Sequence, residues 1–586
     1  MFIDGTRLAL FVAAALALNL CAGVVDDVRL ADEAADRAVA AIRTPEELSS
    51  RLRAWRKFWL DAIGGMPDRT PLNARVTGTV ACDGFRMENI IFESQPGVYV
   101  TAHLALPSGS KPPYHVILMP LGHSDTGILN PRYAEHLALT ARTGFAAFAW
   151  DPISQGERRQ ADNPQYDDNC AVEHCRLGAR SWLVGWNFAR FRIWDAMRAI
   201  DYVASRPDLD STKLGVMGTS GGGTMSAYLQ ALDDRIKVAF PNCYVSSLRE
   251  VVRERGCHDA EQFFWNMLPN GFNHVALLAM GPPRVSLAIG SRWKDYFPHV
   301  GAVSTFGAFT NMTAHLGLTG SYWHFSCDGP HGLPPSTRAA QVDWMRYCIL
   351  GADAPKPQEA YRALDAAGTD GNDPARRAPL PFPVDAQFCT PTHQVRDLSG
   401  FRSVYRIIAD EAMRLAKVRK NHTREELREI VRRRTNIRPL SELGEGDETE
   451  FSHSFKWWYL EGREGKLAEN HAAILATLGR SRVGVKAEAI LRAVVKRVTA
   501  NGGKPVPLEA KGADCIAAAH AYAAEPQLFS SVRFTDAPPS WTEMVTNPDP
   551  SLDSFSTAVW GALQDYDWTD LTTDVGFATI HHIKKN

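Results

Sequence analysis

Residues 213–234 read KLGVMGTSGGGTMSAYLQALDD, and the fold turns on how this stretch is read. Leu214, Val216 and Met217 make an apolar run of strand type, while Met225, Ala227, Tyr228, Leu229 and Leu232 recur at helical spacing. Between the two, Gly218, Ser220 and Gly222 fill the pattern G-x-S-x-G. The glycines leave room for a sharp, strained turn that lifts a serine hydroxyl clear of a sheet. The helix then starts directly behind that hydroxyl, so its free N–H groups favour negative charge at the same point. Gly-Ser turns are common in glycine-rich chains; the strand before and the helix after select a nucleophile elbow over an ordinary turn.

The surrounding elements fit such an elbow. Upstream, residues 74–94 and 97–107 alternate with period two, which predicts antiparallel strands. HVILMPL (115–121) is apolar on both faces and therefore central and parallel. A helix around 133–143, a strand FAAFAWD (145–151) and a helix within 191–210 lead to the serine strand. Strands at IKVAFPNC (236–243) and RVSLAIG (284–290) and a helix at 336–350 follow. Strands alternating with helices predict a doubly wound, mostly parallel sheet of the α/β-hydrolase fold. Residues 31–63 predict helix with Trp55, Phe58, Trp59 and Leu60 as the buried face.

An elbow serine needs a base and an acid to orient that base, each expected on a loop after a late strand. LAIGSRWKDYFP (287–298) offers Asp295 just past a buried strand, with Asp328 as the competing carboxylate. CDGPHGLP (327–334) offers His331 on a Gly- and Pro-rich loop before the last helix. The oxyanion hole needs two backbone donors: Gly221, which follows the serine, and Gly122 or His123 from LMPLGHSDTG (118–127). Residues 167–186 lie between a strand and the helix that precedes the serine strand, so Glu173, His174 and Trp182 are expected to touch substrate. Arg158 and Arg292 read more simply as structural ion-pair partners than as carboxylate binders.

At 586 residues the chain exceeds one ordinary domain. Its 45% hydrophobic and 22% charged content is that of a globular protein, and a net charge of -2 gives no reason to expect nucleic acid or anionic membrane as partner. Arg7 followed by the apolar LALFVAAALALNLCAG (8–23) predicts a signal peptide over 1–23 and a secreted or periplasmic protein, with an uncleaved anchor as the alternative. Ten cysteines without a C-x-x-C pair point to no zinc site; Cys170 and Cys175 are near enough to pair within a loop.

Taken together, PLGHSDTG (120–127), AWDPISQGERRQ (149–160), residues 191–210 and 215–246, HDAEQ (258–262), KDYFP (294–298) and GPHG (329–332) resemble secreted bacterial α/β-hydrolases of the acetyl xylan esterase-like group, as do the strands of 76–107. The resemblance spans roughly residues 40–350, with the blocks in the family's order. It implies Ser220 as nucleophile, His331 as base and Asp295 as its partner, ester groups of polysaccharides as substrate, and no metal or organic cofactor. O-acetyl groups are the first expectation and methyl esters of uronic acids the alternative. The acid loop departs from the family's compact Gly-x-x-Asp, which leaves Asp295 to be tested.

Residues 24–385 are therefore expected to form the catalytic region, with a linker over 351–385. Residues 386–586 are expected to form a second one, in which the charges of REELREIVRRR (424–434) are a solvated face. Near the C-terminus, 517–545 echoes 226–252, and Gly512 falls where Ser220 stands; the C-terminal part reads as a degenerate hydrolase copy without a nucleophile. A prolyl oligopeptidase-type peptidase is not expected, because fewer than a hundred residues separate the expected signal from the first central strand, too few for a propeller. A carbohydrate-binding protein on an inactive hydrolase fold remains the alternative, with SWLVGW (181–186) and SFKWWYL (454–460) as aromatic platforms.

Overall fold

The computed structural model describes residues 5–573 except 258, 354, 356–357, 368–379, 444–465 and 551–552. Its centre is a nine-stranded sheet in the order β1-β2-β3-β5-β4-β6-β7-β8-β9. The first three strands, β1 (Arg75–Cys82), β2 (Phe85–Gln95) and β3 (Val98–Pro107), run antiparallel, as their period-two alternation predicts. β3 also pairs antiparallel with β5 (Ala146–Trp150). From there β4 (Tyr114–Pro120), β6 (Leu209–Thr219), β7 (Ile236–Asn242), β8 (Ser286–Lys294) and β9 (Tyr322–Pro330) continue as a parallel sheet.

Both faces of the central parallel strands are covered, which is why β4, β6 and β7 carry long apolar runs. On β4, Val116 and Leu118 enter one core and Ile117 and Met119 the other; on β6, Val216 and Met217 divide the same way. The covering helices before the elbow are α1 (Gly5–Ala40), α2 (Pro45–Ala62), α3 (Pro131–Arg142), α4 (Cys170–Leu183) and α5 (Ala189–Ala204), and α6 (Gly221–Leu232) follows it. Trp55 and Trp59 of α2 are buried, Trp59 edge-on to Tyr228 of α6.

Two expectations change. The 351–385 stretch is not all linker: Gln358–Ala367 is a helix whose Tyr361 hydroxyl donates to Asp343 at 3.0 Å. Nor are the arginines of 424–434 only a solvated face. Arg428 and Arg432 both pair with buried Glu525, and Arg433 and Arg434 with Asp565. Charge density in the sequence said nothing about these carboxylates, about a hundred positions away.

The signal peptide expected over 1–23 falls almost wholly outside the residues whose side chains are described, and α1 runs on through Gly23. Among the described residues no helix is long and apolar enough to cross a membrane. SFKWWYL also lies outside the described residues.

Toward the C-terminus, β10 (Val506–Lys511) and β11 (Phe529–Thr535) pair in parallel around the helix Asp514–Ala524. Gly512, at the turn from β10 into that helix, has φ +60° and donates its N–H to Thr535 at the end of β11. Residues 386–390 return to the large sheet: Asn89 donates to the carbonyls of Ala386 and Phe388, His103 meets that of Gln387, and Glu157 accepts the N–H groups of Cys389 and Thr390.

Candidate active site

The elbow is as sharp as its glycines require. Ser220 sits between β6 and α6 at φ 60°, ψ −125°, a conformation strained for a residue with a side chain. Two backbone bonds hold it: its N–H donates to the carbonyl of Asn242 at 3.0 Å, and its carbonyl accepts from Thr224 at 2.8 Å. A β-carbon on Gly222 would collide with the Pro120 carbonyl. One on Gly122 would lie 2.6 Å from the Thr219 carbonyl and 3.2 Å from the Ser220 β-carbon. The loop after β4 and the turn after β6 thus touch through glycines, which sets Gly122 and His123 beside the serine, next to Gly221.

Asp295 leaves the end of β8 and His331 follows β9. The His331 Nδ1 and Asp295 Oδ1 are 2.7 Å apart, and Asp295 also accepts the Phe297 N–H at 3.0 Å. Burial works to raise the Asp295 pKa, but the facing His331, the Cys243 thiol and the Phe297 N–H outweigh it and hold the carboxyl below its usual range. Asp328, the competing carboxylate, is exposed and accepts the N–H of neighbouring Gly329. The His331 loop docks on the end of β7, where the Asn242 amide donates to Gly332 at 3.4 Å and to Thr219 at 3.1 Å. Since Asn242 also takes the Ser220 N–H, one residue ties the two loops together. Tyr296 lies against the His331 imidazole, ring centroids 4.8 Å apart. Ser220 Oγ and His331 share no hydrogen bond among the described residues; such contacts commonly tighten only when substrate is engaged.

The expected substrate contacts are placed otherwise. Trp182 is 1% exposed and packs edge-on against Phe263, Trp265, Phe555 and Trp560, so it is an interior packing residue and SWLVGW is no surface platform. His174 is fully buried, its Nδ1 3.0 Å from His123 Nε2 and its Nε2 2.9 Å from the Ile153 carbonyl. Glu173 is also buried; burial pushes its carboxyl up to about 7, and Ser154 pulls it back only in part. In the sequence 167–186 reads as a covering loop, whereas most of it is α4, buried on nearly every face. Cys170 and Cys175 lie on the same helix with free thiols, not bridged, and all nine cysteines among the described residues are free. Arg158 is structural as expected, buried against Asp195 at 2.8 Å, and Arg292 donates to the Pro330 carbonyl at 2.6 Å.

Sequence reasoning missed Arg192 and Glu261. They form a buried ion pair beside the elbow, with Arg192 also donating to the Leu121 carbonyl at 3.3 Å. Glu261 stands in HDAEQ, but no spacing joins it to α5. Among the described residues two groups bring ligand-type atoms within 4.8 Å of one another, His123/His174/Glu261 and Cys243/Asp295/His331. In the first, Glu261 is engaged by Arg192, and in the second, Asp295 by His331.

The parallel sheet, the elbow and the acid-histidine pair at the strand ends define an α/β-hydrolase. Residues 55–264, which carry the lead-in strands, the loop after β4 and the elbow, match the acetyl xylan esterase family. YtaP of Bacillus subtilis (strain 168), described as a hydrolase, is 24% identical over 201 residues, 32% of this chain. The match spans 62% of that relative's length. Similar solved structures include the methylesterase BT1017, at 18% identity with a TM-score of 0.49 over 66% of this chain and 81% of that one. A glucuronoyl esterase from Solibacter usitatus has 14% identity and a TM-score of 0.40 over 52% and 94%. An acetyl xylan esterase from Paenibacillus sp. R4 has 18% and 0.35 over 51% and 94%.

Proposed function

We propose that the chain is a serine carboxylesterase that removes O-acetyl groups from polysaccharides. The observation that carries the reading is the His331–Asp295 pair at 2.7 Å on a loop tied through Asn242 to the Ser220 elbow. The acetyl ester is favoured by the family match over 55–264.

His331 takes the Ser220 proton as the oxygen attacks the ester carbonyl, and Asp295 holds the imidazole in the tautomer that leaves Nε2 free to accept. The N–H groups of Gly221 and of the 122–123 loop stabilise the tetrahedral oxyanion. His331 then protonates the departing sugar hydroxyl, leaving acetyl-Ser220. Water activated by the same histidine attacks this ester, and acetate leaves as Ser220 regains its proton. The β10–β11 unit fits a nucleophile-less remnant of the same core: Gly512 stands at φ +60° in the Ser220 position and donates to Thr535 as Ser220 does to Asn242.

The test is simultaneous measurement of acetate and methanol released from acetylated xylan and methyl-esterified pectin. Acetate from xylan, lost by at least ~10^4-fold in Ser220→Ala, is the expected result. Methanol alone would move the chain to the uronate methyl esterases. Neither product from folded protein would overturn the esterase reading.

A further inference from the structure

Four buried polar side chains lie behind the oxyanion loop and have no part in the mechanism above: His123, His174, Arg192 and Glu261. The Glu261 carboxylate is their hub. It pairs with Arg192 and lies 3.5 Å from His174 Nδ1 and 3.7 Å from His123 Nε2. The other ends of the network reach the reaction centre. Arg192 donates to the Leu121 carbonyl, and a β-carbon on Gly221 would sit 3.2 Å from its guanidinium and 3.1 Å from His123. Gly221 is the residue whose N–H faces the oxyanion, so its lack of a side chain admits Arg192 and His123 against the back of that peptide.

The Ile153 carbonyl can only accept, so His174 carries a proton on Nε2, and its Nδ1 faces both His123 Nε2 and the Glu261 carboxylate. Burial holds the His123 pKa well below its ordinary value, and the opposing pull of the Glu261 carboxylate does not offset it. Asp259, beside it, is pushed up by burial and by Glu261, so the anion of this cluster is Glu261 and it balances Arg192. Arg192 donates both to Glu261 and to the Leu121 carbonyl, and His123 reaches the Ile153 carbonyl through His174, so the 121–123 loop is tied at two points to buried partners.

We propose that Glu261 is a positioning residue for ester hydrolysis: through Arg192 and the His123–His174 pair it holds the two oxyanion donors, Gly221 and the 122–123 loop, at a fixed separation. The inference rests on Ser220 being the nucleophile. Because the donors act on the tetrahedral intermediate and not on the bound ester, loosening them lowers kcat and leaves KM nearly unchanged.

The experiment uses the full chain and p-nitrophenyl acetate, with Ser220→Ala, Glu261→Gln and Arg192→Ala, each checked for folding by thermal melting. Glu261→Gln is expected to lower kcat by about 10–100-fold with KM within about twofold, somewhat less than deletion of a donor itself. Arg192→Ala should behave alike and regain part of its kcat in millimolar guanidinium chloride but not in equal sodium chloride, a recovery that lost packing alone does not give. The proposal is overturned if either folded variant keeps kcat within about twofold of the parent, if KM carries the loss, or if guanidinium restores nothing. Should Glu261→Gln fail to fold, Arg192→Ala and its rescue decide alone. Turnover surviving in Ser220→Ala would instead refute the nucleophile assignment, an outcome separate from the other three.

Discussion

At the scale of single residues, the two carboxylates near β8 and β9 give the cleanest contrast. Asp295→Asn should cost about 10^3–10^4-fold in kcat, because the amide cannot hold the imidazole in the working tautomer. Asp328→Asn should leave kcat within about twofold, since its carboxylate only turns back on Gly329. Steady-state kinetics of both variants check this. Glu173 yields a pH prediction. Its folded-state pKa, about 7, lies above the ordinary 4.5, so as pH rises the unfolded chain gives up this proton first and stability is lost between those values. Glu173→Gln should therefore stabilise by up to about 3 kcal/mol at pH 8 and change little at pH 4, as read from urea unfolding at both. The elbow at Ser220 and the pairing of Asp295 with His331 were legible in the sequence because each residue stands in a short loop bounded by apolar strand or helix. Glu261 and Arg192 were not: their partnership spans 69 positions and depends on how α5 lies against the loop after β7.

At the scale of elements, the strands were legible for a physical reason. β1 is largely exposed at the sheet edge, β2 and β3 are buried on both faces with their polar Asn89, Thr101 and His103 engaged by residues 386–388 and Asp151, and β4 to β7 run apolar because both faces are covered. α4 was misread because its charged residues Glu173, Arg176 and Arg180 are buried or half-buried against other elements and do not form a solvated face. Its Arg180 is the matching surprise. Buried with Asp553 at 2.6 Å, it donates to the carbonyls of Val545, Asn547 and Asp549 and lies over the Tyr405 ring, 4.8 Å from its centroid. Arg180→Met strands the Asp553 carboxylate in the interior, at a cost of about 3–5 kcal/mol. A lowered melting temperature and faster proteolytic loss of the C-terminal segment would register it; an unchanged melt would show the pair to be dispensable.

At the scale of the whole molecule, the sequence suggested two regions meeting near residue 385, and the contacts run straight across that position. The strap at 386–390 satisfies Asn89, His103 and Glu157 on one side of the sheet. Val545 to Trp560 covers α4 on the other. A chain ending at residue 385 would uncover both, and should be recovered aggregated or without measurable turnover; a stable, active 1–385 fragment would show that the hydrolase folds alone. The same joint supplies its own optical reporter. The Trp182 ring lies 6.3 Å from that of Trp265 and 6.1 Å from that of Trp560, centroid to centroid, where α4 meets the C-terminal segment. Indoles that close share their excited states, so opening the joint would shift the emission to the red and flatten the near-ultraviolet circular dichroism, letting detachment be followed in unlabelled protein before the sheet itself unfolds.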